Sequence, residues 1–287
     1  MTTSEITSLN SDEIDEIINR ENAVLSPEEL NLLERVIEEE VTIIPPNSDT
    51  LLIDEQTSRF SSAVWYQKIQ AKNIIVAGIG GIGSYVVYLL SRMKPSGLFL
   101  YDPDTVELAN LSGQLFSMSD IERKKVDAIA SMVSNYSNYA AVFTNPYKYD
   151  SSSSTSDIMI CGFDNMGARI VFFHKWLEHV QNKSEEERKN CLFIDGRLNA
   201  EEFQVLCIQG DDIFSIKKYK EEYLFFDIEV DDTVCSYKQT TFMANMIAST
   251  MVNCFVNFVA NQCNPLIERS IPFYTYYSAE LMYFKTV

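Results

Sequence analysis

Gly78, Gly80, Gly81 and Gly83 fall within GIGGIGS, between an apolar run and a stretch with helical spacing. Glycines there let the backbone pass close to phosphate oxygens, and a helix N-terminus adds positive potential at the same place. Asp102 follows nineteen residues after the last of them, at the end of GLFLYD, where a carboxylate can hold ribose hydroxyls. These residues alone suit NAD, FAD or ATP, and a tight turn without a ligand is the other reading of the glycines.

The residues behind Asp102 narrow the choice. The stretch YDPDTVELANLSGQLF adds Asp104, Asn110 and Gln114, and ERKKVDA adds Lys125 with Lys124 beside it. CGFDNMGAR adds Asp164, with Arg169 five positions on. A carboxylate attacking an α-phosphate brings two anions together, so a site for that reaction needs cations and an enforced in-line geometry. Hydride transfer needs no such cluster.

Taken in order, GxGGxGS, D-x-D-x-V-E-x-x-N-L, Q, Lys and D-N-x-x-x-R closely resemble the ThiF/MoeB adenylyltransferase family, whose members also form the adenylation domain of ubiquitin-activating enzymes. The resemblance runs from about residue 55 to the C-terminus. It implies an ATP- and magnesium-dependent enzyme that adenylates the C-terminal carboxylate of a small ubiquitin-like protein, or of a peptide or other acid. It also implies a homodimer of doubly wound domains. Carried over by position, Asp102 would hold the ribose, with Asp104 in the same nucleotide-binding set. Asn110 would sit beside the phosphates, and Gln114 would support that asparagine or touch the triphosphate. Lys125 matches the lysine that neutralises phosphate charge, with Lys124 close enough to leave the register open. Asp164 matches the acidic residue associated with magnesium, and Arg169 the arginine after it. Arg59, in TSRFSSAVW, matches an arginine that reaches the ATP of the neighbouring subunit.

The pattern departs at Gly113. The family writes N-L-x-R-Q, with an arginine on the triphosphate, whereas this chain reads N-L-S-G-Q. Either Arg59 or another cation compensates, or the site binds ATP without efficient chemistry. Removing one such contact costs on the order of 100-fold in rate. Cys235, in VCSYKQTT, lies where sulfur-transferring and conjugating relatives keep a reactive cysteine. A helix N-terminus and Lys238 would lower its pKa there, and a structural thiol is the alternative. Lys238 and Gln239 are equally placed to line a substrate tunnel. Asp195 and Arg197, in FIDGR, read as an ion pair or as groups that steer an acidic tail.

Three functions follow: an adenylyltransferase, a catalytically weakened binding or scaffold subunit of the same fold, and an NAD-dependent oxidoreductase. Only the generic loop favours the third, which lacks a YxxxK or histidine–carboxylate pair.

The elements that must position these residues alternate. NIIVAG, GLFLYD, AAVFT, DIMICG, CLFIDG and FQVLCIQ read as strands, separated by helices at IGSYVVYLLSRM, SDIERKKVDAIASMV and NMGARIVFFHKWLEHVQ. Such alternation predicts an α/β fold with a doubly wound, mostly parallel, Rossmann-like sheet. SIPFYTYYSAELMYFK adds two antiparallel strands at the far side, and the tract DSSSSTSD reads as a flexible loop. Residues 1–55 read as a separate acidic helical extension, ahead of an adenylation domain at 56–287.

Composition sets the outer limits. The net charge is −18, but residues 1–58 hold fifteen acidic and two basic side chains, so the remainder is only mildly acidic. With no basic stripe to displace counterions, duplex nucleic acid is not an expected partner. Six cysteines without a CxxC pair point to reduced thiols, a cytoplasmic setting and no zinc. His174 and His179 stand about 140° apart around a helix and do not form a metal pair. MTTSEITSLNSDEIDEII has no features of a secretory signal. Residues 242–260 are apolar enough to suggest a membrane span, yet Asn245, Ser249, Asn253 and Asn257 draw a polar stripe, which predicts a buried core helix.

Overall fold

The computed structural model describes residues 55–225, 239–264 and 266–287. The extension up to residue 54, Cys235 and Lys238 lie outside the described residues.

An eight-stranded sheet forms the centre: β1 (Asn73–Ala77), β2 (Gly97–Tyr101), β3 (Val142–Asn145), β4 (Ile158–Cys161), β5 (Leu192–Asn199), β6 (Glu202–Gln209), β7 (Tyr274–Ser278) and β8 (Tyr283–Thr286). The order is β3-β2-β1-β4-β5-β6-β7-β8, parallel from β3 through β5 and antiparallel beyond. This is the predicted doubly wound sheet with its antiparallel C-terminal strands.

The inner strands are continuous apolar runs because both faces are covered. Alternation sends Ile74 and Val76 into one core with helices Gly81–Ser91, Lys125–Ser137 and Thr241–Asn261. Ile75, Ala77, Met159 and Cys161 point the other way, against Phe172, Phe173 and Trp176 of helix Met166–Gln181.

Three expectations need correction. The helix predicted from SDIERKK begins only at Lys125, after a 3-10 turn at Met118–Asp120. The Asp120 carboxylate accepts from the Ser117 N–H at 2.9 Å and from Arg123 Nη1 at 2.8 Å, and such local bonds compete with helix. In helix Thr241–Asn261 the polar stripe faces outward: Asn245, Ser249 and Asn253 are exposed, while Met243, Ile247, Met251 and Phe255 are buried. That helix is long and apolar enough to cross a membrane by length and composition, and its apolar face lies on the sheet. The serine tract is tied down, with Ser154 Oγ 2.8 Å from Tyr101 Oη and Ser156 Oγ donating to the Asn73 carbonyl at 2.7 Å. A short helix at Ile213–Lys218, capped by Asp212 accepting from Ser215 N–H, was not expected.

Candidate active site

The sheet reverses its winding between β1 and β4, since β2 lies on one side of β1 and β4 on the other. A crevice opens past the carboxyl ends of strands at such a reversal. The glycine loop sits there. Gly78 adopts φ +83°, and a Cβ on it would lie 2.6 Å from the Gly162 carbonyl carbon and 2.7 Å from Phe163 N, at the end of β4. Gly78 is therefore held by backbone packing across the switch point. At Gly80, by contrast, an added Cβ would meet nothing nearer than Gln114 Nε2 at 3.9 Å.

Asp102 is buried at the end of β2 and holds the loop directly, accepting from Ile79 N–H at 2.6 Å and Asp104 N–H at 2.8 Å. Burial pushes its carboxyl above the usual range, against the pull of Lys125 and of the two N–H donors. Each carboxylate oxygen keeps a second acceptor site, so ribose can still be held there. Lys125 is buried on the first turn of its helix, and its Nζ lies 2.9 Å from Asp104 Oδ2. Unpaired N–H groups and the dipole make a helix N-terminus an unfavourable place for a cation, so Lys125 is there at some cost. Lys124 instead donates to the Pro103 carbonyl at 2.6 Å and, unlike Lys125, does not line the cleft.

Asn110 belongs to a 3-10 turn, Leu108–Ser112, and its Oδ1 accepts from Glu107 N–H at 2.9 Å. The segment is fastened to the glycine-loop helix by Leu115 N–H donating to Ser84 Oγ at 3.0 Å. Gln114 Oε1 is buried without a hydrogen-bond partner, a costly state that a bound ligand or water would relieve.

Asp164 is exposed on the cleft, and Asn165 caps helix Met166–Gln181 by accepting from Ala168 N–H at 2.8 Å. Arg169 is structural: its guanidinium is buried on Asp195 and donates to the carbonyls of Phe163 and, at 3.1 Å, Gly196. Asp195 and Arg197 form the anticipated ion pair, Nε to Oδ2 at 2.8 Å, and Tyr219 Oη donates to Asp195 at 3.0 Å. With two guanidiniums on one carboxylate, the wall at Arg197 carries surplus positive charge.

Together these residues border a cleft of about 2600 Å³, lined by Gly78, Gly80, Gly81, Asp102, Asp104, Asn110, Gln114, Lys125, Asp164 and Arg169. Gly83 lies beneath it: a Cβ there would fall 1.9 Å from the Gly78 carbonyl oxygen. Arg59 is exposed and is not part of this lining, and Cys235 lies outside the described residues. Sequence reasoning missed Lys148, which stands in no motif, whereas Gln239, anticipated as a tunnel-lining residue, does line the cleft. Among the described residues Asp157, His179 and Cys191 also converge, but Asp157 is already committed to His179 Nε2 at 2.8 Å and Lys183 Nζ at 3.0 Å. The described cysteines are free thiols.

The model of the ThiF family matches residues 53–191. Ubiquitin-like modifier-activating enzyme 5 of Culex quinquefasciatus is 33% identical over 107 residues, covering 36% of this chain and 27% of that protein. The protein of the same name from Bombyx mori is 39% identical over 70 residues, covering 24% of this chain and 18% of that one. The chain thus matches about a quarter or less of the length of these two relatives. Among solved structures, PaaA superposes with a TM-score of 0.65 at 15% identity, over 99% of this chain and 88% of PaaA. E. coli MccB with ATP gives 0.64 at 14% identity, over 93% and 80%. At these identities the two structures establish the fold.

Proposed function

We propose, from the premise that residues 53–191 form a ThiF-family domain, that this protein is an adenylyltransferase activating the C-terminal carboxylate of a small ubiquitin-like protein or a peptide. The observation that carries the reading is the cleft at the switch point, where a glycine loop, Asp102, Lys125 and Asp164 face one space. Its volume of about 2600 Å³ exceeds the roughly 300–1,000 Å³ of ordinary small-molecule pockets, leaving room for an extended chain beside a nucleotide. The relatives' names concern activation of ubiquitin-like modifiers, and MccB was solved with ATP and with the peptide MccA.

The glycine loop and the start of helix Gly81–Ser91 would receive the triphosphate, and Asp102 the ribose. Lys125 would place positive charge beside the α-phosphorus as the substrate carboxylate oxygen bonds to it and the bond to pyrophosphate breaks. The exposed oxygens of Asp164, with Asp104 nearby on the cleft, are the hard ligands magnesium prefers, so the residues fit that ion. Magnesium bound there would offset charge on the phosphates. Transfer of the acyl group from the adenylate to the Cys235 thiolate, with AMP leaving, dimerisation through Arg59 and a cytoplasmic setting complete the proposal.

One observation favours a second reading, a binding subunit with weakened chemistry: Gly113 offers no side chain to the phosphates. Calorimetric titration with magnesium-ATP and with NAD, on wild type and Asp164→Ala, tests the nucleotide site. Magnesium-dependent ATP binding that the substitution abolishes supports both readings, whereas NAD binding alone overturns them. Pyrophosphate release upon adding a panel of ubiquitin-like proteins and peptides then separates enzyme from binding subunit.

A further inference from the structure

Gln239 comes from a part of the chain remote from every cleft motif, yet its side chain lies between two of them. A Cβ built on Gly81, the first residue of the loop helix, would fall 2.1 Å from Gln239 Oε1 and 2.8 Å from its Nε2. A Cβ on Gly113, at the end of the Leu108–Ser112 turn, would fall 2.9 Å from Gln239 Cγ and 3.1 Å from its Nε2. Contacts under 3.0 Å are not sustained by real Cβ atoms, so a side chain at 81 or 113 would displace the Gln239 side chain from this place.

The glutamine is delivered there by anchors on both sides. Gln239 itself bridges to Ala200 in the β5–β6 turn, and Thr241 Oγ1 donates to the Ser112 carbonyl at 2.5 Å. Gln239 and its neighbours Thr240 and Thr241 line the cleft. A primary amide carries two N–H donors and no charge, and here it stands at the N-terminus of an 11-residue helix, where phosphate oxygens would be received.

We propose that Gln239 is a phosphate-contacting residue of the nucleotide site. Its amide supplies from the C-terminal part of the chain the polar group that Gly113 lacks. This rests on the nucleotide reading of the cleft. It goes further by assigning the phosphate contact to Gln239, which the sequence placed only as a candidate tunnel residue.

The test compares magnesium-ATP and adenosine as ligands of the full chain, in wild type, Gln239→Ala and Gln239→Glu, with thermal melting of each free protein. Loss of the amide is expected to weaken magnesium-ATP about 10-fold, and the carboxylate of Gln239→Glu to weaken it further. Adenosine, which has no phosphate, is expected to bind all three alike. A second arm uses Gly113→Ala, which should weaken magnesium-ATP in the wild-type background and much less beside Gln239→Ala, because the clash is then gone. Unchanged magnesium-ATP affinity in both Gln239 variants overturns the inference while leaving the nucleotide site standing, as does equal weakening of ATP and adenosine. Failure of the wild type to bind magnesium-ATP removes the nucleotide reading and this inference together.

Discussion

The Arg169 guanidinium and the Asp195 carboxylate meet inside the protein, 6% and 0% exposed, and join the first turn of helix Met166–Gln181 to the middle of β5. Arg169 also reaches the backbone carbonyls of Phe163, in the loop after β4, and of Gly196 in β5, so the pair fixes the edge of the cleft from which Asp164 projects. Breaking a buried pair by removing one partner leaves an uncompensated charge and costs about 3–5 kcal/mol. Asp195→Asn, which takes the carboxylate from two inward-facing guanidiniums, is therefore expected to lower stability by about that much in urea unfolding. Arg169→Met should cost less, since Arg197 Nε still pairs with Asp195 at 2.8 Å.

Gly78 and Gly80 should behave oppositely. Gly78→Ala forces a Cβ into the Gly162 backbone from a left-handed conformation, and a loss of at least about 1–3 kcal/mol in stability is expected. Gly80→Ala has open space around its Cβ, so its melting temperature should stay near wild type while magnesium-ATP binds more weakly in calorimetry.

Two adjacent lysines offer an internal control. Lys125→Met removes the buried cation beside Asp104 and should weaken magnesium-ATP binding by about 10-fold or more. Lys124→Met removes only an exposed contact to the Pro103 carbonyl and should leave affinity within about twofold of wild type.

A pH effect is expected at the opposite end of β4. Burial raises the Asp157 carboxyl, but bonds from His179 and Lys183 outweigh it and hold the group below its ordinary value of 3.8. A carboxyl depressed on folding contributes stability above that value and loses it as pH falls through the folded value. Asp157→Asn should thus cost up to about 1 kcal/mol at pH near 7, a few degrees in melting temperature, and the difference should shrink towards pH near 3. A constant difference across that range would mean that packing, not charge, is lost.

Much of this fold was readable from the chain because its inner strands are short apolar runs bounded by Gly and Asp. Gly78, Asp102 and Asp164 were found at strand ends for the same reason. What escaped was long-range. Nothing local pairs Arg169 with Asp195, so its bracing of the cleft wall was not legible, although its place on the cleft was. The helix start at Lys125 was hidden because Asp120 satisfies backbone donors that a helix would otherwise have used. The amide stripe of the long helix has the right period, but period alone does not say which face meets the sheet. Gln239 was legible as a candidate tunnel residue, but its meeting with Gly81 and Gly113 was not, since nothing local joins those three positions.

The clasp between Thr241 and Ser112 also orders events in time. Every glycine-loop, aspartate and lysine motif precedes residue 192, yet the wall that faces them includes residues 239–246. Contacts of such wide sequence separation close slowly, after local helices and strands have formed. During synthesis the phosphate loop must therefore wait for residues 239–246 before its binding surface is whole. A prematurely terminated product would carry a legible nucleotide motif and an open, unfinished cradle.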